Sequence, residues 1–192
     1  EIGVKPVRFL DPSAGTGIFG QYADLANPSA EITCFEKDPL TALILKHLNP
    51  TFTVRAQGFE SIEGKYNGYY DVIASNIPYG DVALFDPAFS THTDPVRRQG
   101  TRTLHNYFFM KSVDTVRDGG IIAFITSQGV LNSEQNRPVR EWLAQRCNVV
   151  SAVRLPNNLF TDYAGPEVGI DLIVLQKRPQ GEYAVTHRQQ DF

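Results

Sequence analysis

Strand-like and helix-like segments alternate along this 192-residue chain, and that alternation constrains its fold more than any other feature. The strand-like segments occupy 7–11, 31–36, 52–56, 69–75, 121–127, 148–155 and 170–176. Helical periodicity occupies about 18–25, 39–48, 103–116 and 137–146. Because such alternation is typical of βαβ units, we predict an α/β fold, a doubly wound and mostly parallel seven-stranded sheet with helices on both faces.

Two local signals predict where helices begin and end. Asp38-Pro39 combines an N-cap residue with a proline at the first helical position, so a helix is expected to start there. Gly119-Gly120 is expected to close the helix of residues 103–116. Residues 81–102 read as a long polar connection between the fourth strand and that helix.

Composition excludes several classes of protein. Apolar residues make up 42% of the chain and charged residues 20%, which excludes a disordered chain, a collagen and a coiled coil. No window approaches 18 uninterrupted apolar residues, so we expect no membrane-spanning helix and no membrane partner. Cys34 and Cys147 lie far apart with no histidine at ligand spacing, which predicts no disulfide, no metal and a reducing, cytoplasmic location. Since the chain opens without Met or a leader, we interpret it as a single domain, 1–192, cut from a longer polypeptide.

The first strand runs into a glycine-rich loop, Asp11-Pro12-Ser13-Ala14-Gly15-Thr16-Gly17. Ligands of parallel sheets bind at the carboxyl ends of the strands, and glycines let the backbone approach a ligand closely. The carboxylate of Asp11 would repel a pyrophosphate, so it favours a ligand with a positive group, such as an amino acid. An ordinary glycine-rich turn is the alternative interpretation.

Glu36 ends the second strand, 25 positions after Asp11. This separation is close to the value of about 20 expected for a carboxylate that bonds ribose hydroxyls, so we interpret Glu36 as a ribose ligand. A solvated charge beside the helix start is the alternative.

The fourth strand ends in Asn76-Ile77-Pro78-Tyr79. The side-chain oxygen of Asn76 and the main-chain carbonyl of Ile77 can each accept one hydrogen of a planar NH₂ group, while Tyr79 can stack on the ring that bears it. Asn and Pro are also common turn formers, and that simpler interpretation stays open for the segment taken alone.

Together, DPSAGTG, FEKDP and SNIPYG resemble the S-adenosylmethionine-dependent adenine-N6 DNA methyltransferases of the Asn-Pro-Pro-Tyr type. The resemblance extends over nearly the whole chain. The chain is also similar to the methylase portions of large helicase–methylase polypeptides of bacterial mobile elements. It implies a Rossmann-like methyltransferase fold, S-adenosylmethionine as cofactor, DNA as partner, a role in restriction–modification or on a mobile element, and further domains of a parent polypeptide.

The resemblance also implies roles for individual residues. The implied catalytic residues are Asn76, Ile77, Pro78 and Tyr79, with Ile77 in place of the usual proline. The implied cofactor-binding residues are Asp11, Pro12, Ser13, Gly15, Gly17, Glu36, Lys37, Phe59 and Glu60. In the third loop, either Glu60 bonds the cofactor's adenine amine one position later than usual, or Phe59 contributes only packing.

An enzyme that acts on a base within duplex DNA flips that base into a pocket with an aromatic face. Tyr79 is the expected stacking residue, and Phe160 is either a second one or a core residue. Arg97, Arg98 and Arg102 are expected to bind phosphates, with a solvated charge cluster as the alternative. We find no separate target-recognition domain.

Two other functions stay open, and a third is disfavoured. The same loop type serves enzymes that methylate glutamine amides of proteins or base amines of RNA. A catalytically silent module for DNA binding or coupling would keep the fold without the chemistry. A dehydrogenase is disfavoured by the acid ahead of the glycines and by the lack of a hydride-transfer acid–base pair.

Overall fold

A computed structural model describes residues 8–78, 80, 82–156 and 169–181. Its strands are β1 (Arg8–Asp11), β2 (Glu31–Phe35), β3 (Thr53–Arg55), β4 (Tyr70–Asn76), β5 (Val116–Ser127), β6 (Cys147–Leu155) and β7 (Ile170–Lys177). Its helices are α1 (Ile18–Ala26), α2 (Pro39–Leu48), α3 (Pro87–Ser90), α4 (Pro95–Gly100), α5 (Leu104–Thr115), α6 (Gly129–Asn132) and α7 (Arg137–Arg146). Short 3₁₀ turns lie at Phe59–Ser61, Gly64–Tyr66 and Glu134–Asn136.

Within the described residues, the strands form one seven-stranded sheet in the order β3-β2-β1-β4-β5-β7-β6. All neighbouring pairs are parallel except those of β7, which runs antiparallel to both β5 and β6. The predicted doubly wound and mostly parallel sheet is confirmed. The chain winds outward from β1 to β3 and then returns to β4, so the strand order reverses between β1 and β4, where ligands of such sheets bind.

Alternating side chains divide the core between the two faces of the sheet. On one face, Phe9 and Ala74 pack with Ala23 of α1 and Leu45 of α2. On the other face, the larger cluster includes Ile73 and Ile122 of β4 and β5, several aromatic residues of α5, and Trp142 and Leu143 of α7. Helices therefore cover both faces, and the sheet is held as a rigid platform for the loops at its carboxyl edge.

Two expectations about local structure need correction. The helix predicted over 103–116 ends at Thr115, and Gly119 and Gly120 lie inside β5. Gly119 has a φ of 75°, and a Cβ on Gly120 would come within 2.8 Å of the Asp71 carbonyl oxygen of β4, so close strand pairing requires these glycines. The connection of residues 81–102 contains α3 and α4, each of which begins at an Asp-Pro pair.

None of the helices in the described ranges is long and apolar enough to cross a membrane.

Candidate functional site

The glycine loop carries the chain from the buried end of β1 to the start of α1. Gly15 and Gly17 have φ values of 54° and 94°, in the left-handed region that favours glycine. A Cβ on Gly17 would lie 2.3 Å from Cδ1 of the buried Leu45, whereas a Cβ on Gly15 would meet no atom within 4 Å. Gly17 thus allows α1 to approach α2, while Gly15 leaves the loop open on its outer side.

Asp11 is fully buried at the end of β1. Its Oδ1 accepts a hydrogen bond of 3.1 Å from the Ser13 N–H, and its Oδ2 has no hydrogen-bond partner among the described residues. Burial raises the pKa of this carboxyl to about 7, although the nearby Ser75 hydroxyl and the Ser13 N–H act in the opposite direction. An acid of this kind is poised between its neutral and charged forms near neutral pH, and a cation beside it would favour the charged form.

Glu36 joins the first loop to the second. One carboxylate oxygen accepts a hydrogen bond of 2.8 Å from the Gly15 N–H, and the other accepts one of 2.8 Å from the Asp38 N–H. Each oxygen retains a second lone pair for a ligand hydroxyl. Glu36 is half-buried, so it is more than a solvated charge beside a helix start, whereas its neighbour Lys37 is exposed.

The third loop presents two different environments. Phe59 is 1% exposed and packs against Phe35 and Phe108, with ring centroids 6.0 Å and 5.4 Å away. Glu60 is partly exposed, and its carboxylate lies over Gly58, where a Cβ would come within 2.3 Å of either carboxylate oxygen. Phe59 therefore lies in the core, whereas Glu60 is a partly exposed polar residue of this loop.

The fourth loop begins at the exposed Asn76, the last residue of β4. The next side chain, Ile77, is 1% exposed within the larger core cluster, and its N–H donates to the Ile125 carbonyl at 3.1 Å. The Ser75 hydroxyl donates to the Ser13 carbonyl at 3.3 Å, which connects the end of β4 to the glycine loop. Pro78 is half-buried. Tyr79 and Phe160 lie outside the described residues.

The three arginines expected to bind phosphates lie in different environments. Arg97 forms a bidentate ion pair with Asp114 and stacks over Phe89 at 4.3 Å, so it is held by contacts within the protein. Arg98 is exposed but donates to the carbonyls of His92 and Thr93. Arg102 is exposed. Binding of a phosphate stays a prediction for all three side chains, of which Arg98 and Arg102 are exposed and Arg97 is paired with Asp114.

Sequence reasoning missed a buried polar network that anchors the segment after the fourth loop. Asp86, 3% exposed, caps α3 and accepts hydrogen bonds from the Tyr107 hydroxyl at 2.6 Å and the Lys111 ammonium at 3.0 Å. Both partners lie on α5. The Asp-Pro pair at 86–87 was a usable signal for the cap, but nothing local indicates the two partners on α5.

The family and the relatives that this chain matches all carry restriction in their names. The Eco57I restriction-modification methylase family matches residues 30–160. "Defense against restriction protein B" of Escherichia phage P1 is 24% identical over 174 residues, 88% of this chain but 7% of the relative. The methylase subunit of the type I restriction enzyme EcoEI of Escherichia coli is 27% identical over 106 residues, 52% of this chain and 20% of the relative. This chain thus spans a small part of both relatives.

The fold is shared with a protein from Listeria monocytogenes whose structure was solved as a proposed class I S-adenosylmethionine-dependent methyltransferase. The TM-score is 0.74 at 18% identity, and the match covers 94% of this chain and 56% of the other. This likeness shows the Rossmann-like methyltransferase fold.

A substitution in the glycine loop tests whether Gly17 allows α1 to approach α2. Gly17→Ala forces a Cβ against Leu45 and places alanine at positive φ, so we expect the free energy of unfolding to fall by about 2–4 kcal/mol in urea denaturation. Gly64→Ala is the matched control, since its Cβ would meet no atom within 4 Å and its φ is not positive, and it should change stability by less than about 0.5 kcal/mol. Equal losses in both variants would contradict the proposed role of Gly17.

Proposed function

The chain belongs to the Eco57I restriction-modification methylase family, and we propose that it transfers a methyl group from S-adenosylmethionine to the N6 amine of adenine in DNA. One observation carries the proposal: the loops after β1, β2 and β4 meet at one edge of the sheet and are bonded to each other. Glu36 accepts from Gly15, and Ser75 donates to Ser13. A single ligand at this edge would contact all three loops.

The residues at this edge fit the proposed cofactor. S-adenosylmethionine supplies an electrophilic methyl group on a positively charged sulfur, together with an amino acid end and a ribose. Asp11 has a buried carboxylate oxygen with no partner among the described residues, which suits the ammonium group. Glu36 retains lone pairs for the two ribose hydroxyls, and the open outer side of Gly15 admits the ligand to the backbone. Glu60 is the proposed partner of the cofactor's adenine amine.

The fourth loop is proposed to hold the target amine. The Asn76 side-chain oxygen and the Ile77 carbonyl would each accept one hydrogen of the NH₂ group, which directs the nitrogen lone pair at the methyl group without a strong base. The buried Ile77 side chain and its N–H bond to Ile125 fix the backbone that carries this carbonyl. Catalysis would come from positioning and from hydrogen bonds to the amine as it develops charge.

DNA is the proposed substrate because relatives carry restriction and modification names and the loop suits an aminated ring. The base would be flipped from the duplex into the edge formed by the fourth loop, with Tyr79 as the predicted stacking residue and Phe160 as either a second one or a core residue. The exposed Arg98 and Arg102 would contact phosphates. Because the chain spans 7% of its phage relative, sequence readout is assigned to other domains of a parent polypeptide.

Asn76→Ala is the direct test of the fourth loop. We expect methyl transfer to duplex DNA, followed by mass spectrometry of N6-methyladenine, to fall by about 100-fold or more, because one hydrogen-bond acceptor for the amine is lost. Binding of S-adenosylmethionine, measured by calorimetry, should change by less than about threefold.

Asn67→Ala is the matched control, since Asn67 is an exposed asparagine at the opposite edge of the sheet and should leave the rate unchanged. Unchanged activity of Asn76→Ala would overturn the assignment of the loop. Methylation of RNA or of a glutamine peptide without methylation of DNA would overturn the substrate.

The raised pKa of Asp11 predicts a pH dependence of cofactor binding. Its carboxyl is largely protonated below a pKa of about 7, and the cofactor's ammonium favours the ionised form, so calorimetric affinity should rise between pH 6 and pH 8. The stability of the unliganded chain should move the other way. Since the folded pKa lies above the unfolded value of 3.8, the free energy of unfolding should fall as pH rises from about 4 to about 7.

Asp11→Asn removes the titrating group and is expected to flatten both profiles while lowering cofactor affinity. A wild-type affinity profile that Asp11→Asn leaves unchanged would show that Asp11 does not meet the ammonium group.

A further inference from the structure

One phenylalanine side chain lies exposed in the segment between the fourth loop and α3. Phe85 is 76% exposed, and it is the one exposed phenylalanine among the residues that the structure describes. Its neighbour Leu84 packs against the larger core cluster, whereas Val82 is also exposed. Single exposed apolar side chains are ordinary on a protein surface, so the support and the position of Phe85 decide whether it has a role.

The backbone on both sides of Phe85 is held by the fold. The Leu84 N–H donates to the Thr101 carbonyl, which follows the end of α4, at 2.9 Å. Asp86, the N-cap of α3, is buried and accepts hydrogen bonds from two side chains of α5. The ring of Phe85 is therefore presented to solvent from a fixed backbone, which reduces the entropy that a contact with a ligand would cost.

Phe85 lies at the same end of the sheet as the fourth loop. The Phe109 ring of α5 packs 5.1 Å from the Phe124 ring, and Phe124 pairs with the next-to-last residue of β4. The residue after Phe109, Met110, contacts the end of α4, since a Cβ on Gly100 would lie 2.5 Å from the Met110 Sδ. The residue after Gly100 is the one that binds the backbone beside Phe85. Phe85 is thus held near the level at which β4 ends.

An exposed cation belongs to the same part of the surface. Phe85 and Arg102 each lie one residue from the hydrogen bond between Leu84 and Thr101. Arg102 is exposed, and no ion pair of its guanidinium is found within the described ranges, so its charge is available to a ligand. An aromatic ring close to a cation is the combination with which proteins bind the bases and phosphates of nucleic acids.

We propose that Phe85 enters the base stack of duplex DNA at the place that the flipped adenine leaves, and that Arg102 contacts a phosphate beside it. This inference rests on the proposed function. Removal of a base from the stack costs free energy, and an aromatic ring in its place restores stacking to the neighbouring bases. Phe85 would therefore act inside the duplex, whereas Tyr79 is predicted to stack on the flipped base outside it.

A DNA duplex with one abasic nucleotide next to 2-aminopurine tests the proposal. The gap in its stack is already formed, so insertion requires neither base flipping nor recognition of a target sequence. The fluorescence of 2-aminopurine falls when a ring stacks on it. We expect the 192-residue chain, at saturating concentration and low salt, to quench the fluorescence of this duplex and to leave that of the same duplex without the gap unchanged.

Phe85→Ala should reduce the quenching at saturation by about threefold or more and weaken binding, measured by fluorescence anisotropy, by about fivefold or more, because the stacking ring is lost. Phe85→Tyr should retain both. Tyr22→Ala is the matched control, since Tyr22 is 66% exposed but lies on α1, on the other face of the sheet from α5. Arg102→Gln should weaken binding and lower its salt dependence by about one phosphate contact, with quenching at saturation unchanged. Phe85→Leu has no ring but keeps the apolar bulk, and it carries the test if thermal unfolding shows that Phe85→Ala does not fold.

Equal quenching by Phe85→Ala and the wild-type chain would overturn the proposal, and so would a wild-type chain that binds no DNA or quenches nothing. An equal loss of quenching in Tyr22→Ala would overturn it as well, because the effect would not belong to Phe85. Formation of N6-methyladenine by the wild-type chain separates this role from the proposed function. Methylation with full quenching by Phe85→Ala would leave the reaction standing without the inserted ring, and quenching that requires Phe85 without methylation would leave the inserted ring standing without the reaction.

Discussion

The candidate site depends on one carboxylate, that of Glu36, which holds two loops in a fixed relation. Its oxygens accept from the backbone of Gly15 in the first loop and of Asp38 at the start of α2. Asp38 in turn caps that helix by accepting from the Thr41 N–H at 2.7 Å. The bond to Gly15, together with the bond of 2.9 Å from the Ala14 N–H to the Phe35 carbonyl, holds the glycine loop against the end of β2. The residue proposed to bind ribose therefore also builds the pocket in which ribose would lie.

The remaining parts of the site are held in place by packing against the core. Gly17 brings α1 against Leu45, and the buried Ile77 side chain holds the backbone beside Asn76. Farther along the chain, Asp86 ties α3 to Tyr107 and Lys111 of α5. The polar groups proposed for chemistry thus lie on segments whose neighbours are packed, as positioning catalysis requires. Asp11 is the exception, because its carboxyl is buried and its Oδ2 has no hydrogen-bond partner among the described residues. Ionisation of this carboxyl therefore lowers the stability of the fold, and this is why stability and cofactor affinity are expected to depend on pH.

Local sequence signals predicted most of the fold. The bounds of α2 and α7 agree to the residue with the predicted 39–48 and 137–146, because proline in the first turn marks where each begins. The same Asp-Pro signal at α3 and α4 shows that these short helices were predictable. Contacts between segments that are distant in the sequence could not be predicted in this way. The ion pair of Arg97 with Asp114 and the Glu36–Gly15 bond depend on how the chain crosses the sheet, which spacing along the sequence does not specify.

We propose that the loops after β1, β2 and β4 form one site for S-adenosylmethionine. A crystal structure of the chain with S-adenosylhomocysteine, the demethylated product, tests it most directly. We expect the ribose hydroxyls within hydrogen-bond distance of Glu36, the amino group beside Asp11, and the sulfur facing Asn76. A ligand bound elsewhere on the chain, or bound at this edge with its ribose away from Glu36, would contradict it.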